Sequence, residues 1–267
     1  MIRATKALAN DHGLGWAIHH QERLAANAVD PRKGDPHLNR FEGRVIEYLD
    51  HLGVLDLGSL LIHATYADDV EVGVLARTGA VVAHCPVANA WAGHSRIAAV
   101  PSMLRDGVTV GLGTDGALTN DSLDLFQVMK FCALVHKVNH GGSTAMTAER
   151  IIEMATMGST KALGIENDVG SLEPGKRGDI IILDTQSPGL TPGLLPVKNI
   201  VYSAACGRAV DAVLVDGRIV MERGEIATFY EEAVYDKCDD AAWKLLHGSG
   251  ILERDPDYLK PGPWSYL

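Results

Sequence analysis

The sequence predicts an α/β protein in which parallel strands of a (β/α) barrel, covered by helices, lead into a small β domain. Three observations carry that reading. Four polar motifs each close an apolar, strand-like run: Ile18-His19-His20-Gln21-Glu22, Leu61-Ile62-His63, Val81-Val82-Ala83-His84-Cys85-Pro86 and Val110-Gly111-Leu112-Gly113-Thr114-Asp115-Gly116. Between them, apolar residues recur at helical spacing. From about Asn167 the pattern changes to short apolar runs divided by turn residues. A His, Glu or Asp repeatedly set at the C-terminal end of buried strands is how such a barrel assembles a catalytic site, because those ends converge on one mouth. The residue types point to metal-assisted hydrolysis.

Taken in order, Ile2 to Asn10 reads as the end of an amphipathic helix closed by Asn10-Asp11-His12-Gly13, and about Leu14 to His19 as a strand. Asn27 to Asn39, with Pro31, Gly34 and Pro36, is expected to be loop. Helical spacing returns from Phe41 to Leu52, with Gly53 as a C-cap. The unit then repeats, with a strand at Leu60–Ile62, a helix from Asp68 to Thr78 and a strand at Ala80–Ala83. A loop carrying Asn89, Trp91 and His94 leads to a helix from Ile97 to Asp106 and a strand from Thr109 to Leu112. Asp121 to Val138 and Thr147 to Leu163 read as long helices, the second with an acidic residue in its first turn. Near-continuous apolar strands alternating with helices imply a parallel sheet. Beyond Asn167, the segments 170–176, 179–184 and 212–218 read as short strands with tight turns, and Glu231 to Leu246 as an amphipathic helix before a Pro-rich tail.

Composition bounds the function. The chain has 267 residues, 46% of them hydrophobic and 22% charged, which suits a globular protein and excludes collagen-like or disordered classes. A net charge of −10 without a Lys/Arg cluster argues against nucleic acid and leaves a small-molecule substrate as the default. No run approaches the roughly 18 apolar residues of a membrane helix, and Met1-Ile2-Arg3-Ala4-Thr5-Lys6 does not open a signal peptide. A cytoplasmic protein without membrane association is therefore expected. The four cysteines lack any Cys-x-x-Cys pair, so reduced, mostly buried thiols are expected. Gly111-x-Gly113 is no phosphate loop, since the third glycine is missing. No His-x-Glu with Pro-Cys-x-x-Cys is present, which excludes the zinc deaminases of nucleobases that carry that signature.

Five motifs occur together in order: His19-x-x-Glu22; His63; Ala83-His84-Cys85-Pro86 with Asn89; Gly113-Thr114-Asp115-Gly116 with Asn120; and Gly170-Ser171-Leu172-Glu173-Pro174-Gly175-Lys176 with Asp179-Ile180. On these residues the chain resembles the C-terminal portion of the amidohydrolase superfamily, in its cytosine deaminase-like branch. Within that branch it looks most like the S-adenosylhomocysteine/5'-methylthioadenosine deaminases and the triazine and guanine aminohydrolases. The resemblance runs over nearly all of residues 1 to about 228.

The resemblance implies the C-terminal half of a (β/α)8 TIM-type barrel over 1–166, part of a flanking small β domain over 167–228, and a C-terminal helix and tail over 229–267. It implies His19 as a metal ligand, with Zn²⁺ expected and Fe²⁺ an alternative. Glu22 would be the proton shuttle to the leaving nitrogen, and His63 would hydrogen-bond or polarise the substrate oxygen. Asp115 would bind the metal and help deprotonate the water. His84, Asn89, Trp91 and Asn120 would be substrate-binding residues of the mouth or pocket.

His20 cannot replace the family's first-strand His-x-His pair, because neighbouring strand residues face opposite sides; it is expected to face the helices. Strands 1–4 and that pair have no counterpart here, so a second chain supplying them is expected. In that reading Ile18, Leu61, Val82 and Leu112 would line a trough open to water, and both sheet edges would be bare. The implied reaction is deamination of a nitrogen-rich heterocycle or amidine-like molecule. The alternatives are displacement of an alkylamine or halide, and a non-catalytic subunit or truncated fragment.

Overall fold

A computed structural model describes residues 1–20, 40–41, 43–94, 96–204 and 207–258. Four parallel strands form one sheet in chain order: β1 (Trp16–His20), β2 (Ser59–His63), β3 (Val81–His84) and β4 (Val110–Leu112). Their register aligns Ile18 with Leu61, Leu61 with Val82, and Val82 with Val110. Each crossover carries a helix: α1 (Ile2–Asp11) precedes β1, while α2 (Val45–His51), α3 (Asp69–Thr78), α4 (Pro86–Trp91) and α5 (Val100–Arg105) lie between strands. The expected loop at Asn27–Asn39 lies outside the described residues.

The core sits on one face of this sheet. Leu61, Val82, Val110 and Leu112 are buried with Val72 and Leu75 of α3, Met103 of α5 and Ile46 and Leu49 of α2, and Ile18 packs partly against them. These four registered residues therefore meet the helices and do not line a trough, which corrects the expectation. Strand alternation explains it: the opposite face of β1 carries Ala17 and His19, and both are exposed.

Local chemistry sets the ends of the elements. Asp68 accepts a hydrogen bond from the Glu71 amide at 3.0 Å, and Glu71 reaches back to Asp68, a capping box that starts α3 one residue later than expected. Gly79 ends it at φ 73°. The helix expected over Asp121–Val138 starts later, as α7 (Leu125–His140), because Asp124 caps the Phe126 amide at 2.8 Å, and a separate short helix, α6 (Ala117–Asn120), precedes it. The helix expected over Thr147–Leu163 is α8 (Ala148–Glu153) and α9 (Ser159–Leu163) joined by a π turn at Met154–Gly158. The segment Pro86–Trp91, expected as loop, is helical, with Pro at its first turn.

A second sheet is antiparallel: β5 (Ile180–Leu183), β6 (Val210–Val215), β7 (Arg218–Glu222) and β8 (Glu225–Ile226). Asp216-Gly217 and Arg223-Gly224 link its hairpins, all four at positive φ, as two-residue turns require. Residues 170–176 form turns, not the expected strand, and α10 (Pro196–Ser203) was not anticipated. The helix expected over Glu231–Leu246 is α11 (Glu231–Gly248), and one more turn of helix, α12 (Ile251–Arg254), follows it.

Candidate active site

Strand ends and their following residues bring together His19, His63 and Asp115. His19 is exposed on β1, and its ring centroid lies 5.5 Å from that of His63. His63 ends β2 fully buried, with Nε2 3.7 Å from Oδ2 of Asp115. Asp115 follows β4, and its Oδ1 accepts the Gly116 amide hydrogen at 2.7 Å. The backbone is strained here. His63, Ala64 and Asp115 have φ of 78°, 47° and 62°, in the left-handed region that non-glycine residues avoid. His63 would share the buried face of His20, its register partner, had it stayed extended; the left-handed turn re-aims it.

A polar network supports His63 from behind. Asn89, on α4, presents Oδ1 to His63 Nδ1 at 3.4 Å, and its Nδ2 donates to Thr65 Oγ1 and to His94 Nδ1, each at 2.9 Å. Asn120 is buried and donates from Nδ2 to the Thr114 carbonyl at 2.7 Å, bracing the turn that carries Asp115. Trp91 is exposed, and its indole donates to Asp121 at 3.0 Å. Glu22 lies outside the described residues.

His84 is fully buried and its Nε2 meets that of His136, on α7, at 3.1 Å. Burial first, and then the neighbouring charges of His136 and His63, hold the His84 imidazole well below the usual range; burial lowers His136 to about 4. Both rings are therefore neutral. Cys132 adds a third donor atom within 4.8 Å, one turn before His136 on the same helix face. Its thiol is pushed up by burial, so this trio is a neutral core contact in which one imidazole donates to the other. His20 is also buried, and burial lowers it to about 4.

The sequence reading gave no role to Thr65, His94 or His136. The available signals were spacings: Thr65 stands two residues after His63, His94 five after Asn89, and His136 one helical turn after Cys132. Among the described cysteines, Cys85 and Cys132 are buried and Cys238 is exposed. No helix among the described residues is long and apolar enough to cross a membrane.

Residues 1–220 match the Amidohydrolase family. A 5'-deoxyadenosine deaminase of Methanothermobacter thermautotrophicus is 39% identical over 246 residues, which span 92% of this chain and 55% of that protein. An S-triazine hydrolase of Gordonia rubripertincta is 35% identical over 255 residues, 94% of this chain and 50% of that protein. The solved adenosine deaminase from Xanthomonas campestris, with bound zinc, superposes at a TM-score of 0.84 with 24% identity, over 91% of this chain and 54% of its own. The chain thus spans about half the length of the relatives it matches.

Proposed function

Because the chain belongs to the amidohydrolase family, we propose that it forms part of a metal-dependent aminohydrolase that deaminates a nitrogen-rich heterocycle or amidine-like small molecule. In this reading the four parallel strands are the C-terminal half of a (β/α)8 barrel. The division into 1–166, 167–228 and 229–267 follows it, and a second chain supplies the remaining strands. The observation that carries the reading is the meeting of His63 and Asp115, both in strained left-handed backbone, beside His19 at the C-terminal ends of the strands.

The donors suit zinc: neutral imidazole from His19 and a carboxylate from Asp115 are borderline-to-hard ligands, and iron(II) takes the same set. Two ligands leave room for a His-x-His pair from the complementary half. When bound there, a metal would lower the pKa of a water toward neutral pH. Asp115 would accept a proton from the attacking water, Glu22 would deliver a proton to the leaving nitrogen, and His63 would hold the substrate oxygen. His84, Asn89 and Asn120 are buried, so their contribution to substrate binding is to position the residues at the mouth. Trp91 is the exposed candidate for direct contact. A second reading, displacement of an alkylamine or halide from a triazine-like ring, draws on the 35% identity to an S-triazine hydrolase.

The test uses the assembled protein, this chain with whatever completes the barrel. Ammonia, alkylamine and chloride release are followed from adenosine-type and triazine substrates. His19→Ala should abolish both bound zinc and turnover. Glu22→Gln should keep the zinc and lose turnover by on the order of 10²–10⁴, the scale of a general acid–base group. Full zinc content in a His19→Ala, Asp115→Ala double variant would sink the assignment.

A further inference from the structure

We propose that His84, Cys132 and His136 form a second metal site, separate from the His19–Asp115 position, which takes a soft monovalent ion of the copper(I) class. The three side chains come from two packed elements, His84 from the end of β3 and Cys132 and His136 from one buried face of α7. Each offers one donor atom, and these atoms all lie within 4.8 Å of one another in the core. The imidazole pair is the better-formed part, with Nε2 of His84 3.1 Å from Nε2 of His136. Two imidazoles on one ion, each at about 2.0 Å, stand roughly 3.3 Å apart in tetrahedral geometry, so the rings need part very little. In the hydrogen-bonded pair one ring donates to the other, but nothing pins that arrangement: Nδ1 of both rings is buried with no hydrogen-bond partner among the described residues. Each ring is thus free to carry its hydrogen on Nδ1 and turn the Nε2 lone pair to an ion.

The donors and their surroundings choose the ion. The set is two neutral imidazoles and one sulfur without a carboxylate, and a soft thiolate selects copper(I) among the first-row ions. Charge decides against zinc. One thiolate cancels the charge of a monovalent ion, whereas a divalent one would leave a net positive charge uncompensated in the core, among residues such as Val128, Met129 and Ala133. Coordination number agrees, since three protein donors suffice for copper(I) while structural zinc takes four. Burial pushes the Cys132 thiol up, so it enters the site protonated. As the sulfur–copper bond forms, the S–H bond breaks, the sulfur supplies the electron pair, and one proton leaves to solvent. No oxidation accompanies the step. Affinity therefore rises about tenfold for each pH unit while the free thiol is protonated.

The test uses the full chain with Cys206→Ser and Cys238→Ser, which remove two of the thiols outside the trio. Copper(I) is supplied without oxygen against a coloured chelator, and X-ray absorption at the copper edge reads the ligands. The expected result is one tightly held copper per chain, bound by two imidazole nitrogens and one sulfur. Its Kd should fall about tenfold between about pH 7 and pH 8, after correction for the chelator. Cys132→Ser should abolish tight binding, and His136→Gln should take one imidazole out of the copper shell. A Kd that Cys132→Ser leaves unaltered, a shell without imidazole, a Kd indifferent to pH, or no tight binding at all overturns the proposal. The first two of these would place the copper at Cys85 or on the surface. Should Cys132→Ser not fold, an unchanged shell in His136→Gln overturns it equally. None of these readouts is turnover, so the site stands or falls apart from the deaminase reading.

Discussion

At the residue scale, the molecule accepts backbone strain where a side chain must be aimed and removes side chains where backbones must meet. His63, Ala64 and Asp115 illustrate the first, each left-handed conformation costing about 1–3 kcal/mol that the surrounding packing must offset. Gly158 illustrates the second. It lies in the π turn between α8 and α9, where a Cβ would stand 2.5 Å from the Val110 carbonyl oxygen of β4. Elsewhere in a helix, Gly→Ala is worth about 1 kcal/mol of added stability through propensity. Here the clash is with backbone, which cannot swing away as a side chain would, and overpacking of this kind costs about 1–3 kcal/mol. Gly158→Ala should therefore destabilise the protein by about 1–2 kcal/mol, seen as a lower urea midpoint at unchanged slope. A raised midpoint would show that the helix lies further from β4 than described.

At the element scale, α7 is tied to the sheet through the His84–His136 contact, and that tie is sensitive to pH. His136 titrates near 6.5 when unfolded and at about 4 when folded, because burial penalises its charged form. Between those values the unfolded chain binds a proton that the folded one refuses, so stability is full above about pH 6.5 and falls as pH drops toward 4. Each such histidine contributes a slope of about 1.4 kcal/mol per pH unit in this window, and His84 acts in the same direction. His136→Gln keeps a hydrogen-bonding group toward His84 without the charge. It should flatten the acid limb of a stability–pH curve measured by urea unfolding, while an unaltered limb would place the titration elsewhere. The strands and most helices of this layer were legible in sequence because period and burial coincide: Leu61, Val82 and Val110 are apolar and the following His or Asp marks the strand end. The later start of α7 was not, since Asp124 reads as one more polar residue until its oxygen is seen on the Phe126 amide. Of the site, His19, His63 and Asp115 could be picked from their strand-end positions. Thr65, His94 and His136 could not, because their roles come from contacts between elements. The facing of Ile18, Leu61, Val82 and Leu112 was misjudged because fully apolar strands hide which side meets the helices.

At the scale of the whole molecule, the two edges of the parallel sheet differ, and that difference says where complementary strands can join. Leu112, at the outer edge of β4, already has partners: its amide donates to Ser159 Oγ at 3.1 Å, and the same hydroxyl lies 3.3 Å from its carbonyl oxygen. That edge is not bare, contrary to expectation. On β1 the Trp16 amide and the His20 carbonyl point to β2, so by alternation Ala17 and His19 turn their backbone groups outward. Among the described residues β1 pairs with β2 alone. A strand added there would hydrogen-bond beside His19 and cover the exposed Ala17 face, burying apolar surface and bringing its side chains to the proposed metal position together. Residues 1–267 alone carry His19 and Asp115 as proposed ligands, short of the three or more protein ligands of a tight zinc site. The chain by itself should therefore bind zinc weakly and associate in size-exclusion chromatography. Co-expression with a polypeptide carrying barrel strands 1–4 should give a discrete complex with about one tightly held zinc. Ala17→Pro should weaken that complex, because the substitution removes an outward amide from the free edge, whereas Ser159→Ala should leave it formed. A soluble monomer of residues 1–267 with a full, tightly bound zinc would overturn this account.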